Sequence, residues 1–158
     1  MAEYASGELG TKVKVKWPND IYVGDRKICG ILIENSIRGN LIENTVVGIG
    51  FNVNQVEFEV DKATSLAELT LEDYDLMNVL ESIIRSVEKY YLKLRSGKFD
   101  EIRKEYLSNL YWLNETHLFG ADRVFSGQIV DIDAFGRLVI ESNNERSTYD
   151  IKEIAFIE

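Results

Sequence analysis

Only one cysteine, one proline, one histidine and two methionines occur in this chain of 158 residues, and each scarcity narrows what it can be. A single cysteine excludes an internal disulfide framework and fits a reducing, cytoplasmic setting. The single histidine, His117, has no metal-ligand spacing around it, so it is expected to be structural or exposed and no protein-ligated metal site is expected. Basic residues are in deficit: a net charge of −9 argues against a nucleic-acid partner, which selects basic surfaces. No apolar run is long enough to span a bilayer and no signal-peptide pattern opens the chain, so no membrane partner is expected either. What is there is 45% hydrophobic and 28% charged, enough for one moderate core and a small appended unit.

The charge is unevenly placed. Residues 1–30 hold five Lys/Arg and four Asp/Glu, whereas the rest of the chain holds 13 and 23. The one locally basic stretch therefore runs through 12–27 and suits a phosphate-containing ligand; for Lys12 and Lys14 a solvated strand face explains the charge nearly as well.

That stretch reads as strand and hairpin. Residues 11–17 alternate Val13, Val15 and Trp17 with Lys12, Lys14 and Lys16, the period-two pattern of a strand with one buried face, and Pro18 ends it. Gly24 and Asp25 form a two-residue turn between residues 21–23 and a returning strand over 26–34, with glycine first as a type II′ turn prefers. This register sets Tyr22 opposite Lys27 and Asp20 opposite Cys29, so that Asp20, Tyr22, Lys27 and Cys29 share a face and Asp20 and Lys27 are diagonal neighbours roughly 7–8 Å apart. A solvated salt bridge explains the pair equally well from spacing alone. Asn19 and the Gly48-Ile49-Gly50 run, in a strand over 45–53 where bare backbone can approach a ligand, favour a site. No phosphate-binding Gly-x-x-x-x-Gly-Lys-Ser/Thr loop occurs. Cys29 is expected as a small buried strand residue rather than a reactive thiol.

Farther on, Ser65 and Glu68 have capping-box spacing. Leu76, Leu80, Ile83, Val87, Tyr90 and Leu94 lay one apolar stripe along a helix that Asp73 or Asp75 can cap and Ser96-Gly97 can stop; it is expected to pack on the sheet. A second helix is expected over 100–112. From about Leu113 the pattern changes to short strands at 124–125, 127–133, 137–141 and 147–154, with turns at 134–136 and 142–144, which suits a small barrel. Asp131-x-Asp133 reads as a strand ending at a glycine turn, not as a metal site.

Lys-Trp-Pro-Asn-Asp at 16–20, Arg-Lys-Ile-Cys-Gly-Ile-Leu-Ile-Glu at 26–34 and Val-Val-Gly-Ile-Gly-Phe-Asn-Val-Asn at 46–54, in this order, resemble the biotin protein ligases, also called biotin–[acetyl-CoA-carboxylase] ligases. The tail, with Phe-x-Gly-x-Ile-x-x-Ile-Asp at 125–133, resembles their Src-homology-3-like C-terminal domain. The resemblance implies an α+β fold, a mixed or antiparallel sheet with packing helices over residues 1–112 (the C-terminal portion of the catalytic domain), followed by a small β-barrel over 113–158. It implies ATP-dependent formation of biotinyl-5′-AMP, with Mg2+, and transfer of biotin to a lysine of the biotin carboxyl carrier protein of acetyl-CoA carboxylase. Lys27 would contact the biotin carboxylate and the acyl-phosphate linkage. Gly30 would offer backbone near the biotin chain, and Asn19, Asn52 and Trp17 would hold the adenylate. Asp20 would receive the carrier lysine; an ordinary carboxylate is too weak a base to deprotonate an alkyl ammonium, so orienting that ammonium is its expected role. The family leaves room for a homodimer. The glycine- and arginine-rich loop and the Ser-Thr strand end that precede this motif in the familiar ligases do not occur in residues 1–15, so the chain looks N-terminally truncated and is expected to adenylate biotin poorly alone. A noncatalytic module of the same fold, or a relative of the lipoyl ligases, are the alternatives.

Overall fold

The computed structural model describes residues 1–157. A first helix, α1 (Ala2–Leu9), closes on Gly10, whose φ of +60 is the left-handed conformation a helix end requires. Four antiparallel strands follow in spatial order β1-β2-β3-β4: β1 (Lys14–Lys16), β2 (Asp20–Val23), β3 (Arg26–Arg38) and β4 (Leu41–Phe51). The β2–β3 turn has Gly24 at φ +60, as its sequence requires. β3 and β4 run on well past the strand expected over 26–34 and form a long arm that turns at Gly39.

Two short-range rules set the helices that follow. Ser65 accepts from the Glu68 amide at 3.1 Å and opens α2 (Leu66–Thr70). Asp75 accepts from the amides of Met77 and Asn78 and opens α3 (Leu76–Arg95), which ends at Ser96 and Gly97. After α4 (Phe99–Ser108) come β5 (Thr116–Gly120), β6 (Val124–Ile132), β7 (Leu138–Ser142), β8 (Glu145–Tyr149) and β9 (Ala155–Ile157), antiparallel in the order β8-β7-β6-β5-β9. The fold is thus α+β, with an antiparallel sheet and helices followed by a small Src-homology-3-like β unit. The strand expected over 147–154 is in fact β8 and a turn, and β5 had no counterpart in the sequence reading.

α3 departs from its expected seat. It packs against α1 and α4, and a cavity of about 600 Å³ lies between its Tyr90 and Ile31 and Ile33 of the sheet. Leu76, Leu80, Val87 and Leu94 of its stripe remain exposed. A 3.6-residue period fixes which residues share a helix face but not what covers that face.

Two buried clusters organise the chain. One joins Ala5, Val13, Ile21, Ile28, Cys29 and Leu66 beneath the hairpin. The other is centred on Phe119, Ile129, Leu138 and Ile140 of the second sheet and takes in Trp17 and Leu110 from the first part of the chain.

Candidate functional site

Asp20 pairs directly with Gly30, and the Lys27 Nζ lies 2.7 Å from Asp20 Oδ1. The two side chains, 42% and 27% exposed for lysine and aspartate, meet at the edge of a sheet face rather than inside a core. One part of the expected register is corrected. Ile21 opposes Cys29 while Tyr22 opposes Lys27, so Ile28 is an extra residue in β3 and Cys29 does not face Asp20. The bulge lets the successive residues Ile28 and Cys29 both enter the core, which straight alternation forbids. Burial pushes the Cys29 thiol up to about 11, as suits a packed and unreactive side chain.

The floor of the site is bare backbone. Gly50 pairs with Gly30 and Gly48 with Leu32, so strand alternation puts these four positions on the face that carries Asp20. A Cβ at Gly30 would stand 3.1 Å from Lys27 Nζ and 3.3 Å from Asp20 Oδ1, so glycine there is what gives the ion pair its room. At Gly48 and Gly50 an added Cβ would meet nothing nearer than 3.8 Å, leaving open space above the strands. The Gly-x-Gly spacing was the signal for these two, read from sequence as backbone that a ligand can approach.

Asn19 and Asn52 brace this face. Asn19 donates its side-chain amide to the Ile31 carbonyl, and its own carbonyl accepts from the Ile31 amide at 3.0 Å. Asn52 donates from Nδ2 to the Thr64 carbonyl at 3.0 Å, and its amide bonds to the Ile28 carbonyl at 2.9 Å. Thr64 in turn donates its amide to the Lys27 carbonyl at 2.9 Å, and the Lys27 amide donates to Lys62 at 2.7 Å. The fully buried Thr64 therefore connects Asn52 to the backbone of Lys27. The capping-box spacing marks Ser65 but not the role of its neighbour Thr64, because nothing in a capping box says which strand the turn will dock on.

Trp17 was expected among the adenylate contacts. It is 6% exposed, packed in the second core, and its Nε1 donates to the Gly136 carbonyl at 2.8 Å. Lys16, opposite Asp20 in the β1–β2 pair, holds its Nζ 4.7 Å from the Tyr22 ring centroid and 5.1 Å from that of Phe156. Asp131 takes Arg103 at 2.6 Å, and Asp133 accepts from the amides of Phe135 and Arg137, both at 2.9 Å, as a strand-ending turn requires. His117 stacks on Trp112 at 3.7 Å between centroids, with its Nε2 3.1 Å from Glu115 Oε2. Among the described residues, no three His, Cys, Asp or Glu side chains are grouped to hold a metal ion. No helix among the described residues is long and apolar enough to cross a membrane.

An ammonium and a carboxylate standing at one end of a glycine floor suit a flat, extended ligand bearing negative oxygen at that end. Comparison with known proteins points the same way. Residues 1–52 match the model of the biotin/lipoate A/B protein ligase family, and residues 118–155 match that of the biotin protein ligase C terminal domain. The bifunctional ligase/repressor BirA of Bacillus subtilis is 30% identical over 148 residues, 85% of this chain and 43% of that protein. The biotin–[acetyl-CoA-carboxylase] ligase of Paracoccus denitrificans is 26% identical over 152 residues, 92% of this chain and 63% of that protein. Among solved structures, apo biotin protein ligase from Aquifex aeolicus superposes with a TM-score of 0.80 at 26% identity, covering 99% of this chain and 70% of that one. The same ligase in complex with biotin and ATP gives 0.78, covering 98% and 66%. The chain thus spans less than half the length of the Bacillus relative. With both family regions present in order and the fold shared across nearly its whole length, the chain belongs to the biotin protein ligase family.

Proposed function

We propose that this chain serves the ATP-dependent attachment of biotin to a carrier protein. In the first step a biotin carboxylate oxygen attacks the α-phosphorus of ATP, giving biotinyl-5′-AMP and pyrophosphate. In the second, a carrier lysine amine attacks the acyl carbon, forming the amide and releasing AMP and the amine's proton. The carrier we propose is the biotin carboxyl carrier protein of acetyl-CoA carboxylase, the enzyme named in the Paracoccus relative's description. The observation that carries the reading is the Lys27–Asp20 pair at 2.7 Å over Gly30, Gly48 and Gly50.

Each residue then has a task. Lys27 offsets the charge on the biotin carboxylate and later on the acyl-phosphate oxygens. Gly30, Gly48 and Gly50 let biotin lie against backbone. Asp20 orients the incoming carrier ammonium, and Asn19 and Asn52 hold the adenylate edge through the oxygens their donated amides leave over. Mg2+ would enter with the nucleotide, held chiefly by its phosphates, in keeping with its preference for phosphate oxygens and water over all-protein cages. The division into a catalytic portion over 1–112 and a barrel over 113–158 belongs to the same proposal, as does action in the cytoplasm.

Calorimetry with a non-hydrolysable biotinyl-AMP analogue tests it on the 158-residue chain. Saturable binding that Lys27→Ala weakens about tenfold or more is the expected result, since a charged hydrogen bond contributes about 1.5–3 kcal/mol. Absence of binding, or equal binding by wild type and variant, would show that the hairpin is no adenylate site.

A further inference from the structure

Trp17 opens the turn between β1 and β2 that leads into the site, yet its ring is buried with Phe119, Ile129, Leu138 and Ile140 of the second sheet. Its one polar atom donates to Gly136, at the β6–β7 turn 119 positions away in sequence. Only Pro18 lies between it and Asn19, whose amide and carbonyl both bond to Ile31 of β3, and Asp20 follows with Lys27 on its carboxylate. Other contacts fasten the same corner. The Tyr106 hydroxyl donates to the Pro18 carbonyl at 3.3 Å, and Arg103, on the same helix as Tyr106, reaches Asp131 at 2.6 Å and the Ile132 carbonyl at 3.0 Å. Lys16, one residue before, is seated against Phe156 of β9.

We infer that Trp17 is a positioning residue through which the C-terminal barrel sets the place of Asn19 and Asp20, and so of the Lys27 ammonium. The physical ground is the shortness of the link. A segment of two residues held at both ends has little slack, so a displacement of the indole in the barrel is passed to the carboxylate three positions on. Packed interiors transmit such shifts because they have few voids in which to absorb them. The barrel then acts on the site from behind, without any of its residues touching a ligand. The consequence for biotin transfer rests on the ligase reading; the coupling itself can be measured with no ligand present.

The test is trace acetylation of the full chain with acetic anhydride, reading Lys27 against the exposed Lys152 by peptide mass spectrometry. Trp17→Phe keeps an aromatic ring and removes the N–H to Gly136; with Asp20 displaced, Lys27 labelling relative to Lys152 should rise at least threefold. Ile140→Val, a trim in the same core that leaves the hairpin untouched, should lower the melting temperature yet leave that ratio unchanged. Should the phenylalanine variant fail to fold, benzothienylalanine at 17 keeps the ring volume without the N–H. It can be introduced by ligating a 28-residue synthetic segment at Cys29, the only cysteine. An unchanged ratio in the Trp17 variants, or an equal rise with Ile140→Val, would overturn the coupling. A shifted ratio in a chain that binds no biotinyl-AMP analogue would uphold the coupling while defeating the ligase reading.

Discussion

The two sheets of this protein are both antiparallel, but they are covered in opposite ways. In the five-stranded sheet the alternation along β7 puts Leu138 and Ile140 inside, and a register shift after Ile129 in β6 brings Ile132 to the same side as Ile129, with few large apolar side chains left outside. In the four-stranded sheet burial is confined to the root of the hairpin around Ile21, Ile28 and Cys29. Farther along β3 and β4, Leu32 is 59% exposed, Ile37 70% and Ile42 63%. The first case shows a strand pattern that carries its own complement. The second shows that a near-continuous apolar run such as Ile31-Leu32-Ile33 marks a strand able to be buried on both faces, not one that is.

Trp17 and Leu110 belong to the first part of the chain and are buried in the second core, so truncating either tests whether the two sheets are separable. Trp17→Ala should cost about 3–5 kcal/mol and Leu110→Ala about 2–5 kcal/mol, the range for large-to-small changes in a packed core. Both sheets should lose stability together, because the deleted side chain holds one to the other. Urea unfolding followed at tryptophan and by far-ultraviolet circular dichroism would check this. Two separated transitions, with only the barrel destabilised, would mean that the sheets fold independently.

Much of this was legible from sequence where the cause is local. The Gly24 turn, the Asp75 cap and the stop at Ser96-Gly97 each depend on two to five neighbouring residues and occur as the sequence implies. The Asp20–Lys27 encounter was legible for the same reason. The bulge at Ile28 was not, because period-two reasoning assumes an unbroken register, and the burial of two successive residues is what breaks it. The partners of Trp17 and Asn52 are set by chain packing over long separations, on which composition and spacing are silent. β5 escaped notice because His117 and Thr116 interrupt its apolar content, while its pairing is supplied by β6 and β9.

A smaller effect separates the cores by pH. Burial raises the Cys29 thiol from 9.0 to about 11 in the hairpin core, and the Tyr106 phenol from 10.0 to about 12 where α4 meets the Pro18 carbonyl. A folded value above the unfolded one means that the native state holds its proton more tightly. Stability from Cys29 is therefore complete below about pH 9 and is lost as the pH climbs to about 11, with Tyr106 following one unit later. The urea midpoint should fall across that window, and Cys29→Ala, though less stable at neutral pH, should flatten the first part of the fall. A midpoint independent of pH up to about 11 would show that neither group is desolvated.

Smaller still is the expected stability effect at the site. The Lys27–Asp20 pair is partly exposed, so Lys27→Ala should change folding stability by about 0.2–1 kcal/mol, the scale of solvated ion pairs. Gly30→Ala should be similarly mild, since the atoms its Cβ would crowd are the ends of flexible side chains, but it should displace the ammonium and weaken analogue binding. A loss of several kcal/mol in either variant would mean that the pair supports the fold rather than a ligand.

The least effect on stability and the sharpest contrast between the sheets should come from one substitution made twice. Ile37 and Ile42 are paired across the β3–β4 arm and both lie open to solvent, whereas Ile140 in β7 is 1% exposed. Lysine at 42 exchanges one solvated side chain for another, so Ile42→Lys should shift stability by no more than about 0.5 kcal/mol. It should also lower the binding of a hydrophobic dye and the tendency to associate at high concentration, because an extended edge strand with uncovered apolar faces invites pairing between molecules and a charge on it opposes that. The same change at Ile140 would bury an unpaired ammonium and should prevent folding of the five-stranded sheet altogether. Sedimentation velocity and thermal melting on the two variants would decide: if Ile42→Lys unfolds the chain as Ile140→Lys does, the arm is covered in solution and the contrast between the two sheets disappears.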